Sequence, residues 1–291
     1  MFLMSPPFGM SAGSPNNKFM QEMAPHERQV NIEKAFRQWI EPYHLLAVNS
    51  LVPLLGQGGW LQDQSYVANL GIVLSHLDEM PIVISNYTAE ERVGESLVGR
   101  LFFETLEAGP VLTCPFPFEG EADLKRITRN VYAMGIGMRT SAQAAVWFSR
   151  QFGMQVIPIQ MRNEYAYHLD CVLFPIDSQK MLTAVTEILP EELRELEKYT
   201  EIVPVPERLV MPGATNLVRC GRLLLSASKL WALERGDDQY QIEKEKVDFL
   251  TKVAADNRLE PCFFNLSEFE KSGAALSCLV MHLTRPEFAD Q

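Results

Sequence analysis

Long hydrophobic runs, basic residues and cysteine are all scarce in this chain of 291 residues. No apolar stretch approaches the ~20 residues that a membrane-spanning helix needs. The opening Met1-Phe-Leu-Met-Ser-Pro-Pro-Phe carries no basic segment and is broken by Pro6 and Pro7, so it does not read as a secretory signal. Lys and Arg number 26 against 37 Asp and Glu, a formal net charge of −11. Both a nucleic-acid backbone and an anionic membrane need a basic footprint, so neither is expected as the main partner. The five cysteines (Cys114, Cys171, Cys220, Cys262, Cys278) are scattered and odd in number. They do not read as a disulfide framework, and the expectation is a reduced, cytoplasmic protein. No second His or Cys cluster completes a ligand set, so no metal is expected.

Apolar residues are plentiful, at 47% against 22% charged, which is enough to bury a sizeable core. Short apolar runs read as buried strands: Tyr66–Leu74, Ile82–Ser85, Val131–Met134, Gln155–Ile159, His168–Ile176, Leu217–Leu225 and Ala275–Leu283. Helical spacing falls between them at Ile32–Ile40, Glu90–Glu107, Ala142–Gln151, Pro190–Tyr199, Lys229–Arg235 and Glu243–Asp256. A further apolar run, Ala47–Leu55, ends at the breaker Gly56-Gln-Gly-Gly59. Residues 1–30, rich in Pro, Gly, Ser, Asn and Met, read as a loop-dominated lead-in. Strand and helix alternate without a linker, which points to the α/β class and to one domain over residues 1–291. Polar residues also recur at strand starts, at Asn69, Asp123, Asp170, Asn216 and Cys278, with steps of 54, 47, 46 and 62 residues. Such a period suggests a circular or stacked array that gathers equivalent strand ends at one centre.

Four tracts carry chemistry. Cys114-Pro-Phe-Pro-Phe-Glu119-Gly120-Glu121-Ala122-Asp123 sets three carboxylates within five residues, either as a solvated acidic turn or as part of a site. In Gly135-Ile-Gly-Met-Arg139-Thr140-Ser141 an arginine follows a Gly-rich turn, and Thr140 or Ser141 would cap the next helix. His168-Leu-Asp170-Cys171, read as a strand, points imidazole and carboxylate into one space and Cys171 to the other side. His168 would equally serve as a core histidine bonded to a backbone carbonyl. Cys278 follows the small residues Ser272-Gly-Ala-Ala275 at the mouth of an apolar strand. There it is either a buried thiol or a nucleophile open to substrate.

Together these tracts resemble the guanidino-group-modifying superfamily of arginine deiminases, dimethylarginine dimethylaminohydrolases, arginine dihydrolases and amidinotransferases. Tyr66-Val-Ala-Asn69-Leu-Gly71 resembles its aromatic-x-Ala-Asn-x-Gly strand, and Phe118-Glu119-Gly120 with Asp123 its Phe-Glu-Gly-x-x-Asp segment. Gly137-Met-Arg139-Thr140 is similar to its Arg-Thr turn, His168-Leu-Asp170 to its His-Leu-Asp strand, and Cys278-Leu to its C-terminal cysteine strand. The similarity runs from about Asp63 to Leu283 and more faintly back through Asn17-Lys-Phe-Met20.

The resemblance implies a five-bladed, pseudo-symmetric α/β propeller, the pentein fold, with its site on the central axis. It also implies that Cys278 attacks the guanidinium carbon, that His168 serves as general acid and base, and that Glu119 pairs with His168 or the substrate. Asp123 and Asp170 would hold the guanidinium nitrogens, Arg139 and then Arg92 the substrate carboxylate, and Asn69, Asn17 and Asp63 further substrate contacts. No cofactor is implied, because the cysteine supplies the covalent step. The expected partner is a small guanidino compound such as arginine, with self-association left open. Ala68-Asn69 stands where many deiminases and dimethylargininases carry Arg-Asp, which favours the arginine dihydrolase branch. Dimethylargininase and amidinotransfer to an amine are the alternatives. Glu121 and Ala122 replace small residues, so an altered loop beside Glu119 is expected.

Overall fold

The computed structural model describes residues 1–59 and 61–288. It begins with strand β1 (Phe2–Leu3) and helices α1 (Lys18–Glu22) and α2 (Ile32–Asn49). A first unit follows as β2 (Gly71–Val73), β3 (Ile82–Ile84), α3 (Val93–Leu106) and β4 (Val111–Thr113). The second is a short α4 (Gly120–Asp123), then β5 (Leu124–Arg126), β6 (Val131–Ile136), α5 (Ala142–Phe152) and β7 (Gln155–Gln160). The third is β8 (Leu173–Pro175), β9 (Lys180–Thr183), α6 (Pro190–Leu196) and β10 (Glu201–Pro204). The fourth is β11 (Leu217–Cys220), β12 (Leu223–Ala227), α7 (Asp238–Asp256) and β13 (Glu260–Phe264), after which come α8 (Ser267–Glu270) and β14 (Met281–His282).

In every unit the first two strands are antiparallel and the third joins the second in parallel. A parallel neighbour cannot be reached by a tight turn, so each unit needs a crossover helix, and α3, α5, α6 and α7 supply them. The fifth unit is assembled from both ends of the sequence. β14 pairs antiparallel with β1, and beyond α2 the bridge Met4–Leu54 adds a parallel edge. These five sheets are the blades of the expected α/β propeller.

Local chemistry accounts for the helices. Asn31 caps α2 by accepting from the Lys34 N–H, and the helix buries Ala35, Trp39 and Leu46 on one face. Ser141 caps α5 as expected, by accepting from the Ala144 N–H, while Gly153 ends it in the left-handed region at φ 62°.

Several runs differ from their reading as continuous strands. Tyr66–Leu74, His168–Ile176 and Ala275–Leu283 each begin with one 3-10 turn (Val67–Asn69, Leu169–Cys171 and Ser277–Leu279) before a short strand. Hydrophobicity marks burial, not backbone path, and the turn is what carries the polar residue to the axis. Leu217–Leu225 is a hairpin folded at Gly221, whose φ is 58°. Helix α2 continues to Asn49 where an apolar run was read, and Lys229–Arg235 holds only a single 3-10 turn, Leu230–Ala232.

The altered loop at Glu121 has a structural consequence. Its buried carboxylate turns away from Glu119 and accepts from the backbone N–H of His282 at 3.0 Å and from His282 Nδ1 at 2.9 Å, with Arg285 at 3.4 Å. One side chain thereby ties the second blade to the fifth. Burial alone would raise this carboxyl, yet Arg285 and His282 hold it at about 2. A depressed carboxyl stabilises the fold above its unfolded value and stops doing so as pH falls through its folded one. We expect Glu121→Gln to cost about 3 kcal/mol at pH 7 by urea unfolding. The gap from the parent should narrow as pH drops from about 4.5 toward 2. A gap independent of pH over that window would disprove the ion-pair role.

Candidate active site

The recurring polar residues occupy equivalent places in the blades. Asn69, Asp170 and Cys278 lie on the 3-10 turns, Asp123 ends α4, and Asn216 immediately precedes β11. Because these turns enter the innermost strands from the same side, side chains distant in sequence converge at one end of the axis.

Gly120 makes the convergence tight. Its φ is 61°, and a Cβ there would stand 2.5 Å from the Ala68 carbonyl oxygen. Only glycine lets the Glu119 turn lie against the Asn69 turn. A small cavity forms there, with Asp63, Asn69, Glu119, Arg139, His168 and Cys278 in its wall. Asn17 and Arg92 also reach it. A wider groove of about 2080 Å³ meets it at His168 and Cys278 and contains Asp170 and Cys171.

Glu119 is fully buried and accepts from His168 Nε2 at 2.8 Å. Asn69 Nδ2 lies 3.5 Å from the same carboxylate and 3.3 Å from the same imidazole nitrogen. Arg139 and Arg92 approach Glu119 at 3.6 and 3.9 Å. Burial opposes the charge on Glu119, but the His168 hydrogen bond and the charges of His168, Arg139 and Arg92 outweigh it and hold the carboxyl at about 2. Burial also opposes the imidazolium. Asp123 and Glu119 reverse that effect, so the His168 pKa is raised. Both shifts favour the charged forms, an imidazolium against a carboxylate.

Cys278 is in the opposite condition. Burial, and after it the negative Asp170, push its thiol up to about 12. Asp170 Oδ2 lies 3.9 Å from the sulfur and accepts from Asn216 Nδ2 at 3.2 Å and from the Ser277 hydroxyl. Asn216 Oδ1 in turn accepts from the Ser277 N–H at 2.8 Å, which fixes the Cys278 turn. The site thus holds a thiol beside the Asp170 carboxylate, in the wall of the cavity that Glu119 and His168 also line.

Two buried carboxylate oxygens, Glu119 Oε1 and Asp63 Oδ1, have no hydrogen-bond partner among the described residues. A buried acceptor left bare is costly and marks a place for a donor. Asp63 Oδ2 accepts from Asn16 Nδ2 at 2.6 Å. Arg139 stacks on Tyr167 at 5.0 Å and donates to the Asn16 carbonyl. Arg92 is buried, with its Nη2 2.8 Å from Glu95, and lies over Tyr87 at 4.6 Å.

Asp123 departs from its expected place. Its oxygens accept from the Thr140 hydroxyl at 2.7 Å and the Leu169 N–H at 3.1 Å, and it lines neither cavity. It therefore props the His168 turn instead of facing a ligand, and the reason is that α4 directs it toward the neighbouring blade. Asn17 is also largely committed, capping α1 with Oδ1 and donating from Nδ2 to the Ser272 carbonyl at 2.9 Å. Cys171 does not face away: its sulfur lies 3.6 Å from Asp170 Oδ1, because the segment is a 3-10 turn and not a strand. Asn216 appeared in the sequence only as one member of the repeat, and Tyr167 and Ser277 gave no signal beyond adjacency to His168 and Cys278. Among the described residues no group of three or more His, Cys, Asp or Glu is arranged to hold a metal ion. None of their helices is long and apolar enough to cross a membrane.

The arginine deiminase family model matches residues 79–253. The bifunctional arginine dihydrolase/ornithine cyclodeaminase AgrE of Nostoc sp. is 25% identical over 98% of this chain and 38% of its own length. The chain thus spans well under half the length of this relative, and likewise 34% of ArgZ of Synechocystis sp.. The N(G),N(G)-dimethylarginine dimethylaminohydrolase of Mycobacterium tuberculosis is 28% identical over 97% of the chain and 85% of its own length. Among solved structures, the N-terminal domain of ArgZ with a covalently bound reaction intermediate superposes with a TM-score of 0.84 at 22% identity. That match covers 99% of this chain and 98% of the other.

A thiol held up by burial and a neighbouring carboxylate should resist neutral alkylators. We expect iodoacetamide labelling of Cys278, followed by peptide mass spectrometry, to accelerate about tenfold per pH unit up to pH 10 without a plateau. The cationic 2-chloroacetamidine should label Cys278 at least about a hundredfold faster than neutral 2-chloroacetamide at pH 7, because its charge favours the thiolate. A labelling plateau below pH 8, or equal rates for the two reagents, would contradict this electrostatic picture.

Proposed function

The chain belongs to the arginine deiminase family, and we propose that it is a cysteine hydrolase of the guanidino group of free arginine, of the arginine dihydrolase type. The observation that carries this reading is the gathering of Cys278, His168 and Glu119 in the wall of one cavity, with Glu119 bonded to His168 and Asp170 3.9 Å from the sulfur.

A guanidinium is planar and keeps its charge at neutral pH, so its carbon resists attack until it is held and desolvated. The bare Glu119 oxygen and the Asp170 carboxylate accept its N–H groups, and the incoming charge offsets what keeps Cys278 protonated. The thiol gives up its proton to solvent and the sulfur bonds to the guanidino carbon. His168 supplies a proton to the departing nitrogen as the C–N bond breaks. The neutral imidazole then takes a proton from water, whose oxygen bonds to the carbon of the amidino-thio adduct. The C–S bond breaks, and the ureido product leaves. In the same wall the Asp63 oxygen without a partner suits an α-ammonium, and Arg139 with Arg92 suits an α-carboxylate.

Asn69 favours a second round. Its amide can accept from a guanidinium through oxygen or donate to a ureido carbonyl through Nδ2, whereas a carboxylate would repel that carbonyl. The same cysteine then bonds to the ureido carbon as the C–N bond to the amino-acid side breaks and ornithine leaves protonated, and water cleaves the S-carbamoyl adduct to carbamate, which falls apart to the second ammonia and carbon dioxide. The relatives AgrE and ArgZ, both named arginine dihydrolases, support this choice. The mycobacterial relative, matched over most of its own length, supports dimethylarginine as a second reading.

Incubation with arginine should yield ornithine and two ammonia per arginine by mass spectrometry and ammonia assay. Citrulline alone would reduce the assignment to a deiminase, and dimethylamine from dimethylarginine with no turnover of arginine would transfer it to the second reading. Cys278→Ser should lose at least about 10³-fold in turnover while its unfolding free energy stays within about 1–2 kcal/mol of the parent. Asn69→Asp should accumulate citrulline.

A further inference from the structure

A second, quite different cavity lies at the opposite end of the propeller axis. The catalytic turns precede the inner strands β2, β5, β8 and β14, whereas this cavity is built from residues that follow three of them. Ser75 and His76 come after β2, Arg126 and Arg129 end β5 and its turn, and Thr284 and Arg285 come after β14. Its volume is about 490 Å³, and among the described residues no carboxylate lines it. In a chain of net charge −11, three arginines around one hollow are a local inversion of sign.

The arginines are not equivalent. Arg285 is engaged with Glu121 at 3.4 Å and Glu287 at 3.6 Å. Arg126 is only 5% exposed and lies over the Phe288 ring at 5.3 Å. It donates Nε to the Thr128 carbonyl at 3.0 Å and Nη2 to the Arg129 carbonyl at 3.2 Å, which leaves Nη1 without an acceptor among the described residues. Arg129 is exposed, and its guanidinium makes no hydrogen bond or ion pair among them. Burial, and with it the like charges of Arg285 and Arg129, press the Arg126 pKa below its ordinary value. His76 receives the Tyr132 hydroxyl at Nδ1, 2.9 Å away, and its buried Nε2 has no partner. Burial and Arg126 hold its pKa down to about 4 against a hydrogen bond with Asn130, so near pH 7 the ring is neutral, and with Nδ1 accepting from Tyr132 its Nε2 is a donor.

Unused donors from two guanidiniums and an imidazole, with the Ser75 hydroxyl beside them and no acid in the wall, define an acceptor-rich anion as the complement. We propose that this cavity is a binding site for a small phosphoryl dianion, either inorganic phosphate or the phosphate of a small phosphorylated metabolite. Arg126 Nη1 and Arg129 grip its oxygens and His76 Nε2 donates to it. The two forked arginines favour a tetrahedral oxyanion over chloride, and the volume admits a phosphate ester. The site is separate from the guanidino pocket in both place and sign.

Isothermal titration of the full chain at constant ionic strength, with inorganic phosphate and with a nucleoside monophosphate as probes, tests the proposal. At least one probe should bind saturably at one site. Affinity should fall at least about tenfold in Arg129→Gln, an exposed substitution with no native partner to lose, and again in Arg126→Gln. Arg139→Gln, in the catalytic cavity, should bind the probe as the parent does. Binding of phosphate itself identifies the free ion as sufficient, and binding of the ester alone identifies a phosphorylated metabolite. The proposal is overturned if neither probe binds saturably. It is equally overturned if Arg129→Gln and Arg126→Gln both retain parental affinity, or if Arg139→Gln abolishes binding.

Discussion

The contact between Glu119 and His168 governs the electrostatics of the site. A carboxylate without solvent exposure is costly unless paired, and this one is paired with an imidazolium across 2.8 Å and approached by two arginines. The pairing favours the acid form of the histidine, which opposes its acting as the base that ionises Cys278. Nearby Asp170 further disfavours the thiolate. The resting protein therefore keeps its sulfur protonated. On the proposed reading a bound cation would offset this negative surrounding and favour the thiolate, so that selectivity and reactivity would share one cause.

The propeller makes that arrangement geometrically cheap. Each blade repeats a turn, an inner strand, a second strand and a crossover helix, so equivalent turns meet at one end of the axis. Contacts between successive blades are then built from the same polar positions. Asp123 accepts from the backbone of Leu169, Asp170 from Asn216, and Asn216 from Ser277. The fifth blade, shared by β1 and β14, is anchored to the second by Glu121. The inner strands end in surroundings of opposite charge, with bare carboxylate oxygens at one end and unused arginine donors at the other. A protein with a marked acidic excess can in this way hold both kinds of pocket, because potential at a cleft follows its immediate walls more than net charge.

Much of the site could be read from short motifs. Glu119, Arg139, His168 and Cys278 were named by residue type and order, and they line one cavity together with Asn69, Asp63, Asn17 and Arg92. The alternation of strand and helix and the spacing of Asn69, Asp123, Asp170, Asn216 and Cys278 pointed to a circular array, which the five sheets form. Asp123 is the instructive departure. Its residue type and motif fit a ligand-binding carboxylate, but the turn of α4 aims it at Thr140 and Leu169. Cys171 was assigned to the wrong side because the His168 segment was treated as a pleated strand, and a 3-10 turn does not alternate.

What the chain determined unaided was composition, period and the identity of reactive groups, since these are properties of residues and of neighbours along the backbone. Tertiary structure alone decided which groups touch. The Glu119–His168 contact spans 49 residues, and the approach of Cys278 to Asp170 spans 108. Protonation states followed from those contacts as well, because burial and neighbouring charge act through space. A sequence lists charges, and only a fold assigns each one its dielectric surroundings and its partner.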